Sequence, residues 1–187
     1  LGTLVNTAAI ILGGTLGLLF GRALSDKMKS TLIQGLGLAV LLVGASMALK
    51  TDNPLVVIGS LIIGGIIGEL LDIEQGLKNL GTWMENRFAR GEDGRFTKAF
   101  VSTSLIFCVG AMAIIGSIES GLKGNHTILM AKSLLDGIYA VVFASSMGIG
   151  VLASGASVFV YQGAIALTAV LVKDFLSQPI ITEMSAV

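Results

Sequence analysis

Two charged residues stand inside an apolar stretch of this sequence, four positions apart. Lys132 and Asp136 would share one helix face, because residues i and i+4 are neighbours on a helix surface. A charge at membrane depth costs about 2.5–3.5 kcal/mol on insertion scales, so such residues usually pair inside the protein. A carboxylate compensated by Lys132 or by a ligand could bind a cation or carry a proton. The alternative is a purely structural ion pair, with Lys132 extending toward the headgroups.

Four neutral polar residues in equally apolar surroundings could complete a site around Asp136. Ser145 and Ser146 belong to a strip dense in glycine and serine, where an unwound turn would free carbonyls to join the hydroxyls as hard-cation ligands. Close helix packing, with each hydroxyl bonded to its own helix, explains the strip equally well. Asn6 and Gln162 carry amides that could reach Asp136. The predicted substrate or ion site comprises Asp136, Lys132, Asn6, Ser145, Ser146 and Gln162.

Other chemistry finds little support in the residues. His126 is the only histidine and Cys108 the only cysteine, so a metal centre would lack its usual ligands. Glycine-rich runs fall inside apolar segments rather than at strand-to-helix turns, which argues against nucleotide binding. Net charge is zero, and nothing indicates a nucleic acid partner. We therefore predict no enzyme activity, no cofactor and no metal.

The elements that must position these residues are membrane helices. Hydrophobic residues make up 53% of the chain and charged residues 13%, and mean hydropathy is +0.88. A soluble domain is roughly a quarter charged. The 187 residues suffice for one compact bundle. Both the lipid bilayer and a small solute or ion are therefore expected partners.

Apolar stretches of about 20 residues mark the spans. They predict an all-α, polytopic transmembrane bundle of six to seven membrane helices, forming a single domain over residues 1–187. Residues 137–172 carry no charge and are too many for one helix, so we place a break at Ser154–Ser157. The predicted helices cover about 3–21, 30–49, 54–71, 99–118, 126–152 and 157–173, with another starting near 179.

Residues 72–90 predict a helix of a different kind. An apolar stripe recurs at helical spacing, with charged residues largely on the other sides and Trp83 beside it. This pattern is typical of an amphipathic helix on the cytoplasmic membrane surface, and a helix that binds a cytosolic partner is the alternative. The stripe consists of Ile73, Leu77, Leu80, Met84 and Phe88.

Small residues repeat every four positions in two predicted helices. Gly13, Gly17 and Gly21 form one stripe, and Gly64 and Gly68 follow Ser60 in a similar one. Such stripes let helices pack closely, either within one chain or between protomers of a homo-oligomer. The sequence around Gly13 also resembles that around Gly64, which suggests an internal repeat of helix hairpins.

Basic residues predict the orientation. They concentrate between the first and second helices and between the third and fourth, whereas the opposite loops hold only Lys50, Lys123 and Lys173. By the positive-inside rule the N-terminus lies outside. The concentrated residues are Arg22, Lys27 and Lys29, then Lys78, Arg87, Arg90, Arg95 and Lys98.

Several motifs together resemble one bacterial family, the domain-of-unknown-function-554 family of inner-membrane proteins. They are GTLVNT at 2–7, FCVGAMAIIGSI at 107–118, KSLLDG at 132–137 and GIGV at 148–151, with the pair Gly13-Gly14. The resemblance implies a multi-pass protein of the bacterial cytoplasmic membrane, in a family described as transporters without an established substrate. Similar proteins continue past Val187 into at least one more hydrophobic helix, and the family supplies no catalytic residues.

Transport of a small solute or ion is the function these features favour. The path would run between the helices that carry Asp136, Gln162 and Asn6. One alternative is an oligomeric channel assembled through the glycine stripes. A second is a non-transporting scaffold or sensor that acts through the amphipathic segment.

Overall fold

The computed structural model describes residues 1–88, 94–171, 173 and 178–186. Over these ranges every regular element is a helix. One short 3-10 turn, Gly21–Ala23, joins the first two helices. The helices are α1 Gly2–Phe20, α2 Asp26–Ala48, α3 Pro54–Leu71, α4 Ile73–Phe88, α5 Arg95–Cys108, α6 Ala111–Lys123, α7 Thr127–Met147, α8 Gly150–Leu171 and α9 Gln178–Ala186.

Five of these segments are long and apolar enough to cross a membrane, and a sixth arises if α5 and α6 count as one bent span. The five are α1, α2, the segment Pro54–Arg87 that contains α3 and most of α4, α7 and α8. The prediction of an all-α polytopic bundle is therefore confirmed.

The helices around the candidate site alternate in direction, as consecutive spans must. α1 runs parallel to α7, since Gly13 lies against Gly137 and Gly17 against Val141. α5 runs parallel to α8, because Gly150 contacts Phe96 and Ala99 and, further along both helices, Ser104 donates to Ser157 at 3.1 Å. In contrast, α1 and α8 are antiparallel. This pattern fits six crossings with α5–α6 taken as one.

The turn between α7 and α8 lies earlier than the sequence prediction placed it. The break is at Gly148, with φ 91° and ψ −160°, a conformation that only glycine adopts readily. Helix α8 continues through the predicted break at Ser154–Ser157. Ser154 donates to the Val151 carbonyl at 2.6 Å, so its hydroxyl is satisfied without interrupting the helix.

The fourth predicted span, residues 99–118, is two helices rather than one. Cys108 ends α5, Ala111 begins α6, and the two axes differ by 61°. Gly110, with φ 139° and ψ 148°, occupies a region almost exclusive to glycine. The break therefore depends on this glycine.

Helix α3 stands apart from most of the bundle, whereas α2 reaches it through Met47, which belongs to a buried cluster with Ile115 and Ile118. α3 has no buried residue among those described, and a Cβ at Gly64 or Gly68 would meet nothing within 4 Å. The packing predicted for these two glycines is thus not made within one chain. By contrast, a Cβ at Gly13, Gly17 or Gly21 would collide with α7.

The amphipathic segment forms α4, which packs antiparallel along α5. Leu77 and Met84 contact the cluster around Phe100, whereas Leu80 and Trp83 are exposed. The segment Pro54–Arg87 has 34 residues, more than the roughly 20 helical residues that cross a hydrocarbon core of about 30 Å. Asp72, with a left-handed φ of 42°, separates α3 from α4 within it. The position of α4 at the membrane surface stays a prediction.

A carboxylate fixes α4 to the start of α5. Glu85 is 8% exposed and accepts from Gly94 N at 2.6 Å and from Thr97 N at 3.1 Å. The Thr97 hydroxyl also donates to it. A negative charge bonded to first-turn amides stabilises a helix start, so Glu85 ties the amphipathic helix to the broken span. Sequence analysis did not predict this contact.

Candidate functional site

Three of the predicted site residues meet in the interior. Lys132 Nζ lies 2.9 Å from Asp136 Oδ1 and 2.8 Å from Oδ2. Asn6 Nδ2 donates to Asp136 Oδ2 at 3.0 Å. The first contact follows from i,i+4 spacing on α7, whereas the second joins α7 to α1 and depends on their parallel packing. The Asp136 carboxylate thus has donors from two helices.

This cluster is deeply buried. The exposed fraction is 8% for the Lys132 side chain and 6% for that of Asp136, and Asn6 is fully buried. Isolated charges cannot be held in such surroundings, but an ion pair with a further hydrogen bond can. The alternative in which Lys132 extends to solvent is not the arrangement in this structure.

A cavity of about 420 Å³ adjoins the pair. Lys132, Asp136 and Tyr139 of α7 line it together with α2 and residues 109–113 of the α5–α6 break. Small-molecule sites in proteins occupy roughly 300–1,000 Å³ and combine apolar walls with a few polar groups. The cavity has both features, since its remaining lining is mostly aliphatic.

The break itself was the feature that sequence analysis missed. The sequence predicts one helix through Val109–Ala113, although Gly110 stands next to a β-branched residue in an apolar segment. No side chain caps the start of α6. Discontinuous helices whose ends lie at membrane depth commonly mark binding sites in transporters, so the glycine was an available signal.

Further buried polar atoms have no hydrogen-bond partner. Among the described residues these atoms are Asn6 Oδ1, Thr7 Oγ1 and both amide atoms of Gln162. Gln162 is fully buried and, like Asp136, lies about 20 Å along its helix from the turn at Gly148. It does not make the hydrogen bond to Asp136 or Asn6 that the sequence suggested.

The two predicted serines lie elsewhere. Ser145 donates to the Val142 carbonyl at 2.7 Å, and Ser146 is exposed. Ser145 is about 14 Å from Asp136 along α7 and lies against Gly21, in the turn that follows α1. Neither serine lines the cavity beside the ion pair, so the structure does not bring them together with Asp136.

Two other cavities do not combine these properties. One of about 800 Å³ runs between α4 and α5, but the ion pair in it, Lys78 with Glu74, is half exposed. A third of about 560 Å³ between α4, α5 and α8 is almost wholly apolar. Exposed pairs contribute little, so the buried pair marks the better candidate.

Comparisons with known proteins place the whole chain in one group. The chain is 30% identical over 190 residues to the "Uncharacterized membrane protein YdfK" of Bacillus subtilis (strain 168), covering all of this chain and 80% of that protein. It is 28% identical over 191 residues to the "Uncharacterized protein YqgA" of Escherichia coli (strain K12), with 100% and 81% covered. No solved structure gives a significant match. The model "Protein of unknown function (DUF554)" matches residues 1–187, and the chain therefore belongs to the DUF554 family.

Proposed function

We propose that this membrane protein transports a small solute or ion, which binds in the cavity beside Lys132 and Asp136. One observation carries the proposal: a buried ion pair lines a cavity of about 420 Å³ where a membrane helix is broken. Ionisable residues inside membrane segments are costly and usually serve transport or relay functions.

The arrangement supports binding and release rather than catalysis. Lys132 and Asn6 both donate hydrogen bonds to the Asp136 carboxylate. A ligand or a proton that replaced one of these donors would weaken the interaction between Lys132 and Asp136. The bend at Gly110 supplies a joint at which α6 could move relative to α5. Together these features support an alternating-access carrier.

The setting we propose is the bacterial cytoplasmic membrane with the N-terminus outside. The alternating helices put the α1–α2 and α4–α5 connections on one side, and Lys27, Lys29 and Arg95 lie there. Positive residues favour the cytoplasmic side. Adding a reporter at either end of the chain, active only in one compartment, would test this orientation.

Solid-supported-membrane electrophysiology on reconstituted protein tests the function. The panel holds monovalent and divalent cations, protons, amino acids and small organic acids, and isotope flux covers electroneutral transport. Asp136→Asn should abolish the signal, whereas Ser146→Ala should leave it unchanged because Ser146 is exposed and away from the cavity. Equal signals in both variants would refute the proposed site. Silence of the unmodified protein in both assays would favour a scaffold or sensor.

A further inference from the structure

We infer that the ligand of this site is a small zwitterion, an amino acid with an aliphatic side chain, which separates Lys132 from Asp136 and pairs with both. The inference rests on the transport function proposed above and names its substrate class. It follows from three features of the cavity: the two opposite charges in its wall, the helix ends of both signs that line it, and the apolar remainder of its lining.

Both members of the buried ion pair line the cavity. The side chain of Lys132 is 8% exposed and that of Asp136 is 6% exposed, and both belong to the cavity wall. In this structure they pair with each other, at 2.9 Å to Oδ1 and 2.8 Å to Oδ2. A ligand that enters between them must replace this contact, because a buried charge that has lost its partner is strongly destabilising.

The charge of the pair decides which ligands can replace the contact. A cation would compensate Asp136 and leave Lys132 unpaired, and an anion would do the reverse. A neutral ligand that separated the two groups would compensate neither. A zwitterion offers an ammonium group to Asp136 and a carboxylate to Lys132, so that one ion pair becomes two and the net charge of the site stays zero. Both new contacts are charge-assisted hydrogen bonds, the strong kind in proteins.

Helix ends of both signs line the same cavity. Residues 111–113 belong to the first turn of α6, whereas Met47 and Ala48 end α2 and Val109 caps the end of α5. A helix carries a partial charge of about +0.5 at its start and about −0.5 at its end. A ligand with a single charge would be attracted by one of these walls and repelled by the others. The two charges of a zwitterion can each face a helix end of the opposite sign.

The rest of the lining indicates what the zwitterion carries. Apart from Lys132, Asp136 and the ring of Tyr139, every described residue that lines the cavity is glycine or apolar. The volume of about 420 Å³ is within the usual range of small-molecule sites. An acidic or basic side chain on the ligand would have no partner on these apolar walls. We therefore expect amino acids with aliphatic side chains.

Matched ligands test the charge requirement. Binding of glycine, alanine, valine, leucine and methionine to the purified full chain is measured by calorimetry and by ligand-induced thermal stabilisation. The amino acid that binds most tightly is then compared with its amide, which keeps only the positive charge, and with the acid that lacks its amino group, which keeps only the negative charge. Each analogue should bind at least about a hundredfold more weakly, because it leaves one buried charge unpaired.

Two double variants test the residues. Lys132→Met combined with Asp136→Leu removes both charges and leaves neither unpaired, and the affinity for the amino acid should fall at least about a hundredfold. Lys78→Met combined with Glu74→Leu makes the same changes in the exposed ion pair of α4, which does not line this cavity. This control should bind the amino acid as tightly as the unmodified protein. Size-exclusion chromatography verifies that both variants are folded.

The outcomes separate this inference from the transport function. Binding that requires both charges of the ligand and both charges of the pair supports the zwitterion site, even if no flux is found and the transport proposal fails. Absence of binding by all five amino acids overturns the zwitterion site, whereas the transport proposal survives if the flux of another solute depends on Asp136. The zwitterion site is also overturned if an analogue with one charge binds as tightly as the amino acid, or if Lys132→Met with Asp136→Leu leaves the affinity unchanged.

Discussion

Asn6 donates a hydrogen bond to Asp136 at 3.0 Å, across 130 positions of the chain. The contact requires α1 and α7 to lie side by side and in the same direction. It also gives the buried carboxylate a neutral donor in addition to Lys132. The Asn6 amide therefore links the packing of α1 on α7 to the hydrogen bonding of the Asp136 carboxylate.

Replacing Asn6 tests that link. Asn6→Ala should lower the free energy of unfolding by about 1.5–3 kcal/mol, the usual worth of a hydrogen bond to a charged group. Thr7→Val is the control one position away: the buried Thr7 hydroxyl has no partner in the described chain, so its removal should leave the free energy of unfolding unchanged or raise it. Denaturant unfolding in mixed micelles measures both. An equal loss in the two variants would contradict a specific role for the Asn6 amide.

The ion pair predicts strong coupling between two substitutions. Lys132→Met alone leaves Asp136 buried without its counter-charge and should cost about 3–5 kcal/mol. Combining it with Asp136→Leu removes both charges, so the double variant should be more stable than either single one. The same unfolding assay gives the coupling energy by a double-mutant cycle. Strict additivity would mean that the two groups do not interact as the structure shows.

The glycine stripes predict opposite results in two helices. A Cβ at Gly17 would collide with the Val141 backbone, so Gly17→Ala should destabilise the protein by about 1–3 kcal/mol. A Cβ at Gly64 meets open space within the chain, and Gly64→Ala should be neutral or slightly stabilising, since alanine favours helices. Thermal unfolding in detergent compares them.

Association of protomers would change the result expected for Gly64→Ala. We propose that if protomers associate through α3, Gly64→Ala shifts the population of cross-linked or chromatographically larger species. An unchanged distribution would remove the glycines of α3 as an interface. The Gly17 result does not depend on this question.

The docking of α9 should depend on pH. The Thr51 hydroxyl donates to Glu183 at 2.5 Å and Asp52 N at 2.9 Å, and these bonds lower the pKa of the Glu183 carboxyl. A lowered pKa in the folded state gives stability that is present above the ordinary glutamate pKa. This stability is lost as pH falls through the folded-state pKa.

Hydrogen exchange over residues 178–186 measures that dependence. Protection of this segment should fall at acidic pH in the unmodified protein, and Glu183→Gln should have weaker protection that varies less with pH. Thr51→Val should resemble Glu183→Gln because it removes one donor. A protection profile that is identical with and without the carboxylate would show that Glu183 does not hold α9.

The sequence was sufficient for the features that depend on composition and on local spacing. Apolar stretches of span length identify the membrane helices whatever their packing, and i,i+4 spacing brings Lys132 to Asp136 within one helix. Apolar stretches can be recognised without knowledge of the packing, because the lipid around each span requires apolar side chains whichever helix lies beside it.

Features that depend on partners in space could not be predicted. The stripes containing Gly17 and Gly64 look alike in sequence, yet only the first has a helix opposite it. A helix break was predicted at Ser154, but a serine can bond to its own helix, whereas Gly148 and Gly110 adopt conformations closed to other residues. Serine density is therefore a poorer guide to breaks than an isolated glycine.

Filling the cavity beside Lys132 and Asp136 tests most directly whether the transported substrate binds there. A Cβ at Gly44 of α2 meets nothing within 4 Å, and Gly44 lines the cavity, whereas Gly37 on the same helix is equally open but does not line it. We would measure substrate-dependent current and isotope flux in liposomes for the unmodified protein, Gly44→Phe and Gly37→Phe. We expect the unmodified protein and Gly37→Phe to transport the substrate, and Gly44→Phe to have lost transport. Equal transport by the two phenylalanine variants, or none by the unmodified protein, would contradict this expectation.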